Sequence, residues 1–350
     1  MNEINGYYQL SIHPSRINYY YTPLNRSRVK PPKFTCNEEI DNFLERSDAS
    51  DNSVASHCPS QFRDNYHHGK ISKTAERKIN RAIDYLTYLA QPKRLPYTKH
   101  GKGLLFRLNF ITLTLSSEQI HTDHEIMLRI FSPFLNSLRQ KWHVTNYIWR
   151  AERQASGGIH YHIVTDRFIP WNELRNVWNK HQQSLSYITR YRNNQIAWNR
   201  TGFTPRPELY KTWPRTKQYK AYLEGIRHDW NSPNSTDVHS LRLIVNVPAY
   251  FKKYMTKEGQ NSFIEGRLWG CSKRLSDLTG ARVAEYSTIS DDLGKIEADK
   301  SIRSFSTDYF TTIFLTPGDL KRLNCTEILS VFEEYIKSLF PEYRPPGLFD

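Results

Sequence analysis

Apolar residues along the chain recur with two periods, and the changes between them mark the elements. Between Ser72 and Ala90, the residues Ala75, Ile79, Ala82, Ile83, Leu86 and Leu89 fall at helical spacing, which predicts a helix with one apolar face. Ser72 is placed to cap its first turn and Pro92 to stop it. Over residues 104–115 the period is two. Phe110, Thr112 and Thr114 share one face of a strand, and Ile111, Leu113 and Leu115 share the other. An amphipathic helix is predicted over 125–142. Two strands follow, over 147–153 and 159–165, joined by a turn at Ser156-Gly157-Gly158. Residues 171–181 read as a helix, 241–247 as a strand, and 248–257 as a helix ended near Gly259.

Strands interleaved with helices, with one clear hairpin, predict an α+β fold: a central antiparallel sheet with helices on one face. Prolines and a polar stretch from Ser47 to Ser60 interrupt any period near the start, so residues 1–70 are expected to form an irregular N-terminal arm. Residues 71–285 then hold the main domain. Residues 286–350 form an acidic C-terminal subdomain or tail, with a strand over 309–315 and a helix over 326–340. There is no internal repeat.

Charge changes this picture by adding a partner. The 350 residues carry 49 Lys/Arg and 35 Asp/Glu, a net of +14. Residues 291–350 hold seven Lys/Arg and eleven Asp/Glu, a net of −4, which leaves +18 on the first 290. A basic region in a chain that is 13% aromatic suits a polyanion, most simply nucleic acid. The same aromatic content argues against a disordered chain. No apolar stretch approaches the ~18 residues of a spanning helix, so no membrane partner is expected. The first ten residues lack the pattern of a signal peptide. Cys36, Cys58, Cys271 and Cys325 are scattered with no CxxC, which fits a reducing, cytoplasmic setting.

Two constellations carry candidate chemistry. The first is His160-Tyr161-His162. Residues i and i+2 of a strand project from one face, so both imidazoles point together as a metal chelate needs. Glu152 and Gln154 share a face of the partner strand, and the glycine turn folds them back beside the histidines. Glu152 is the preferred third ligand, because a divalent ion gains from a negative charge; Gln154 is the alternative. Two strand histidines without a metal would give the same string.

The second constellation is Tyr250, Lys253, Tyr254 and Lys257, spaced i, i+3, i+4 and i+7 on one helical face. Two phenols flanked by two ammonium groups suit a phosphodiester. A phenolate is a competent nucleophile at phosphorus, and a nearby Lys favours the phenolate form. An amphipathic helix with aromatic core contacts would look the same. Asp237 and His239 precede the last strand and fit turn or sheet roles. Cys36, His57, Cys58, His67 and His68 have irregular spacing for zinc.

Together, in this order, the two constellations resemble the HUH endonuclease superfamily. Within it they are most similar to two-tyrosine rolling-circle replication initiators of bacterial plasmids and single-stranded DNA phages. Phe110-Ile111-Thr112-Leu113-Thr114 resembles the family's first motif. Glu152-x-Gln154 with His160-Tyr161-His162 resembles its metal motif, and Tyr250-x-x-Lys253-Tyr254-x-x-Lys257 its tyrosine motif. Arg267-Leu-Trp-Gly-Cys-Ser-Lys is also similar. The long spacing from His162 to Tyr250 implies an insertion, near residues 187–235.

The resemblance implies a sheet of the RNA-recognition-motif or ferredoxin-like kind, elaborated by insertions. It implies a Mn²⁺ or Mg²⁺ ion on His160, His162 and Glu152 or Gln154. It also implies nicking and joining of single-stranded DNA at a replication origin through a 5′-phosphotyrosine. Tyr254 is the favoured nucleophile, with Tyr250 alternating or packing; Lys253 and Lys257 bind phosphate. No GxxxxGK[ST] is present, so unwinding is expected from a separate helicase and synthesis from a host polymerase. A two-tyrosine HUH transposase would use the same residues, and a non-catalytic nucleic-acid-binding module would account for charge and aromatics alone.

Overall fold

The computed structural model describes residues 6–23, 71–90, 93–95, 104–154, 156–240, 264–283, 289–307 and 310–342. Among these the chain forms two compact units, Cys58–Ser276 and Met1–His57 with Asp277–Asp350. Each is α+β and is built on a five-stranded antiparallel sheet.

The elements in chain order begin with β1 (Gly6–His13), β2 (Arg16–Pro23) and α1 (Lys73–Leu89). Then come β3 (Lys93–Leu95), β4 (Leu104–Phe106) and β5 (Asn109–Thr114). A continuous helical stretch follows as α2 (Asp123–Ile126), a π turn (Met127–Phe131) and α3 (Ser132–Trp142). After it lie β6 (Tyr147–Arg153), β7 (Ile159–Thr165), α4 (Trp171–Gln183), α5 (Tyr187–Trp198), α6 (Arg215–Arg227) and β8 (Thr236–Ser240). The chain continues with β9 (Trp269–Cys271), α7 (Lys273–Ser276), β10 (Ala281–Val283) and α8 (Ser290–Ala298). It ends with β11 (Arg303–Ser306), β12 (Phe310–Phe314), α9 (Pro317–Arg322) and α10 (Thr326–Leu339).

In the Cys58–Ser276 unit, β5, the α2–α3 stretch, β6, β7, α4 and β8 run in the order β-α-β-β-α-β. The sheet order is β8-β5-β7-β6-β9, so the first four strands have the ferredoxin-like arrangement, with β9 added at the outer edge of β6. The strand β7 is central, as its apolar content predicts. Ile159, Tyr161 and Ile163 face a core with Ile111 and Leu113 of β5 and Trp149 of β6. Ile126, Ile130, Phe134, Leu138, Leu174 and Trp178 cover it from the helices. The Phe131 ring stacks on Tyr161 at 3.7 Å between centroids. At the sheet edge, Gly270 lies opposite Trp149. A Cβ there would come within 2.7 Å of the indole nitrogen, so no larger residue fits without a shift.

Ser72 caps α1 as expected, its side chain accepting from Ala75 N. The strand predicted over 104–115 is two strands, β4 and β5, broken at Arg107-Leu108; Arg107 donates to the carbonyls of Thr87 and Ala90 at the end of α1. Asp237 and His239 sit inside β8 rather than before it. Only Val238 is apolar in Thr236–Ser240, so pairing with β5, not pattern, makes this strand. The predicted strand over 241–247, the tyrosine helix over 248–257 and the cysteine–histidine group from Cys36 to His68 lie outside the described residues.

The second unit corrects the expectation of an irregular arm over 1–70. Within it, β1 and β2 pair in register from Gly6↔Pro23 to His13↔Arg16, in a sheet ordered β10-β1-β2-β12-β11. Leu10, Ile12, Ile17 and Ile313 are buried, with Ile328, Phe332 and Ile336 of α10 also buried. The strand and helix predicted over 309–315 and 326–340 are β12 and α10. The sequence concealed β1 and β2 because their other row, Ser11, Asn18 and Thr312, is polar and still buried.

Candidate metal centre

Register assembles the site. The turn between β6 and β7 puts Glu152 directly opposite His160 and Arg150 directly opposite His162. On the other side of β7, Thr114 lies opposite His160 and Thr112 opposite His162. Directly opposed residues in an antiparallel pair share a face. One row therefore runs Asp237, Thr112, His162, Arg150, Trp269 across all five strands, and the next runs Thr114, His160, Glu152.

Glu152 reaches both imidazoles, one directly and one diagonally. Its Oε2 lies 3.4 Å from His160 Nε2 and 3.1 Å from His162 Nε2. One donor atom from each of the three residues lies within 4.8 Å of the others. Two ligands at adjacent octahedral positions with bonds of about 2.1 Å stand about 3 Å apart, so this donor set fits one small divalent ion. One carboxylate with two imidazoles is compatible with Mn²⁺ and, less selectively, Mg²⁺ or Zn²⁺. Gln154 stands apart from this triad. It follows β6, its backbone closes the turn with Gly158 and Gly157, and its Oε1 lies against Gly158.

Electrostatics prepare the ligands for a cation. Hydrogen bonds from His160 and then His162 hold the Glu152 carboxyl far below its usual range, outweighing the opposing effect of burial. Burial pulls His162 below 6.5, and the Glu152 hydrogen bond opposes this only in part. A neutral imidazole beside an ionised carboxylate is the state a metal site requires. His162 is 8% exposed, and its ring stacks on Phe110 at 5.2 Å. The two imidazoles are 4.5 Å apart between centroids.

Three supporting features were not legible from pattern. Thr112 Oγ1 lies 3.1 Å from His162 Nδ1, the ring nitrogen that faces away from Glu152. A bond there orients the ring and decides which nitrogen is left for a ligand. Arg150 is 4% exposed and brings a guanidinium into the same row; burial lowers its pKa while Glu152 raises it. The hairpin itself is clamped at its far end. Arg153 binds both oxygens of buried Asp123 and the carbonyl of Gly157, and Gln119 accepts from Ile159 N. Gly157 holds φ +87°, a left-handed turn position that glycine occupies without strain. The i, i+2 rule finds the histidines; only neighbouring strands reveal Thr112 and Arg150. Tyr250, Lys253, Tyr254 and Lys257 lie outside the described residues, so the triad is the part of the expected site that the structure brings together.

No curated protein and no solved structure matches this chain. Residues 108–259 match a family model of the replication-associated protein ORF2 type. That stretch holds the four ferredoxin-like strands, both core helices and the triad, and the match supports a replication-initiator role of the Rep type.

Proposed function

We propose that the protein initiates rolling-circle replication by metal-dependent nicking and joining of single-stranded DNA. The observation that carries this reading is the convergence of Glu152, His160 and His162 on the central sheet, inside the residues that match a replication-associated family.

Glu152, His160 and His162 would hold a divalent ion, Mn²⁺ or Mg²⁺, whose contribution is Lewis-acid polarisation of a scissile phosphate oxygen. Glu152 stays ionised and His162 neutral near pH 7, so neither needs to lose a proton before binding the cation. Thr112 fixes the His162 ring. Tyr254, or Tyr250, supplies the phenolic oxygen that attacks phosphorus in line. The new bond is Tyr O–P and the broken bond is P–O3′. The phenol proton leaves, and a proton is taken up by the released 3′-hydroxyl. A 5′-phosphotyrosine retains the energy of the phosphodiester, so nicking needs no nucleotide triphosphate. Attack by a new 3′-hydroxyl reverses the step and joins the ends. Lys253 and Lys257 bind the phosphate and favour the phenolate.

The test is a denaturing-gel assay for a covalent protein–DNA adduct, using labelled single-stranded oligonucleotides from the protein's own replicon. Mn²⁺-dependent adduct lost in the Tyr250→Phe, Tyr254→Phe double variant is expected. Loss with Tyr254→Phe alone would reduce Tyr250 to support. Folded protein that binds these oligonucleotides and never forms an adduct would leave a nucleic-acid-binding module instead.

A further inference from the structure

Between α4 and β8 the chain makes an excursion, residues 187–235, that the ferredoxin-like order does not require. It holds α5, a 3₁₀ turn at Pro207–Leu209 and α6. Little of it is buried. Gln218 is the one buried residue of α6, and it staples the excursion by donating to the carbonyls of Arg206 and Trp213 and accepting from Arg206 N. Phe203, Tyr219, Tyr222 and Trp230 form a loose ring cluster with centroids 5.2–6.2 Å apart.

The remaining apolar surface faces water. Trp198, Trp213 and Tyr219 are 45%, 38% and 47% exposed. Tyr219, Leu223 and Ile226, at i, i+4 and i+7, make an exposed stripe along α6. Charge says what kind of surface this is. Residues 187–235 carry nine Lys/Arg and three Asp/Glu, a net of +6. Two of the three acids are taken by Arg192–Asp229 and Arg227–Glu224 pairs, while Lys211, Arg215, Lys217 and Lys220 are exposed. The Arg206 guanidinium already lies 4.8 Å over the Trp198 ring.

We infer that the 187–235 excursion is a binding platform for single-stranded nucleic acid. Exposed rings offer stacking faces to unpaired bases, and the basic side chains beside them track the phosphates. A duplex keeps its bases stacked inside and could use only the charge; a single strand uses both. That this strand is the nicking substrate rests on the proposed function, whereas the binding itself is read separately.

The experiment uses the full chain with EDTA present, so that adduct chemistry contributes nothing. Anisotropy of fluorescein-labelled dT20 is compared with that of a duplex of equal length, at several salt concentrations. One variant combines Trp213→Ala with Tyr219→Ala. The other combines Arg215→Gln, Lys217→Gln and Lys220→Gln, all exposed and outside the ring cluster, so the fold is not at stake. The wild type should prefer dT20. The aromatic variant should bind it between about 5- and 100-fold more weakly for each base that loses its stacking partner. The charge variant should bind more weakly at low salt, with the slope of log K against log salt reduced by about 0.7 for each phosphate no longer neutralised. Wild-type affinity in either variant, or equal affinity of the wild type for duplex, overturns the inference. So does a wild-type dimer in sedimentation that both variants dissociate with dT20 affinity unchanged, since the face would then belong to a second copy. Failure of the adduct assay alone removes the nicking mechanism and leaves the platform standing.

Discussion

The two five-stranded sheets each bury a polar row, and the rows differ in kind. In the sheet that includes β1 and β2, Ser11, Asn18 and Thr312 lie side by side. Thr312 donates to Asn18 Oδ1 at 3.2 Å, and Ser11 Oγ bonds His13 Nε2 at 3.0 Å. These are largely neutral groups that satisfy one another. In the other sheet the rows hold Glu152, His160, His162 and Arg150, and the ionisable groups displace one another's protonation. A self-satisfied neutral row specifies packing. A cluster of ionisable groups with converging lone pairs is arranged for something else, here a cation.

The contrast breaks most visibly if a ligand is removed. Glu152→Ala or His162→Ala should lower Mn²⁺ affinity, measured by calorimetry, by more than the roughly 10- to 100-fold typical of changes outside the ligand set. Adduct formation should fall below detection. Unchanged Mn²⁺ binding in both variants would return the triad to the status of a hydrogen-bonded cluster.

Thr112→Val comes next. It keeps the shape of the side chain and removes the hydrogen bond to His162 Nδ1, so Mn²⁺ affinity should drop about 10- to 100-fold with the fold intact. Equal affinity would mean that Phe110 stacking alone orients the ring. In the neutral row, Thr312→Val leaves Asn18 Oδ1 without that donor. The expected cost is about 1–3 kcal/mol in denaturant unfolding, with Mn²⁺ binding untouched. A change in metal affinity there would erase the distinction between the two rows.

The rows also separate by pH. The folded His162 pKa is lowered below 6.5, so the unfolded chain binds the extra proton first and stability falls as pH drops through that value. Glu152 is depressed from 4.5, so its contribution is present above that pH and is lost on further acidification. Metal-free protein should therefore lose stability in two steps as pH falls, and His162→Gln should abolish the first. An unchanged first step would assign it to another histidine.

The smallest effect is expected at Tyr161, between the two histidines. Its hydroxyl is buried with no hydrogen-bond partner among the described residues, and burial drives its pKa far upward. Tyr161→Phe should leave adduct formation unchanged and stability equal or slightly higher, since it removes an unpaired buried group. Reduced adduct formation at equal stability would give the middle position a role in chemistry.

How much was legible follows the range of the interactions. The hairpin strands 147–153 and 159–165 were read correctly because Gly157-Gly158 and the apolar runs are local signals. The helix at 73–89 announced itself through Ser72 and its apolar face. Residues 6–23 did not, because β1 and β2 pair with β10 and β12, nearly 300 residues away, and bury polar side chains where a pattern would need apolar ones. Thr236–Ser240 was missed for a similar reason: one valine among polar residues becomes a strand only against β5.

The same division holds for the site. Backbone geometry within one strand places His160 and His162 on one face, and any chain with that string in a strand would do so. The sequence also determined the candidate acid, since a short glycine turn must return Glu152 towards the histidines. Tertiary structure decided the rest. Register selected Glu152 over Gln154 by a two-residue step, brought Thr112 to His162 Nδ1, and set Arg150 into the same row. Covalent geometry fixes which neighbours along a strand share a face. Which residues stand across from them is set by packing and turn closure, and those are properties of the folded chain.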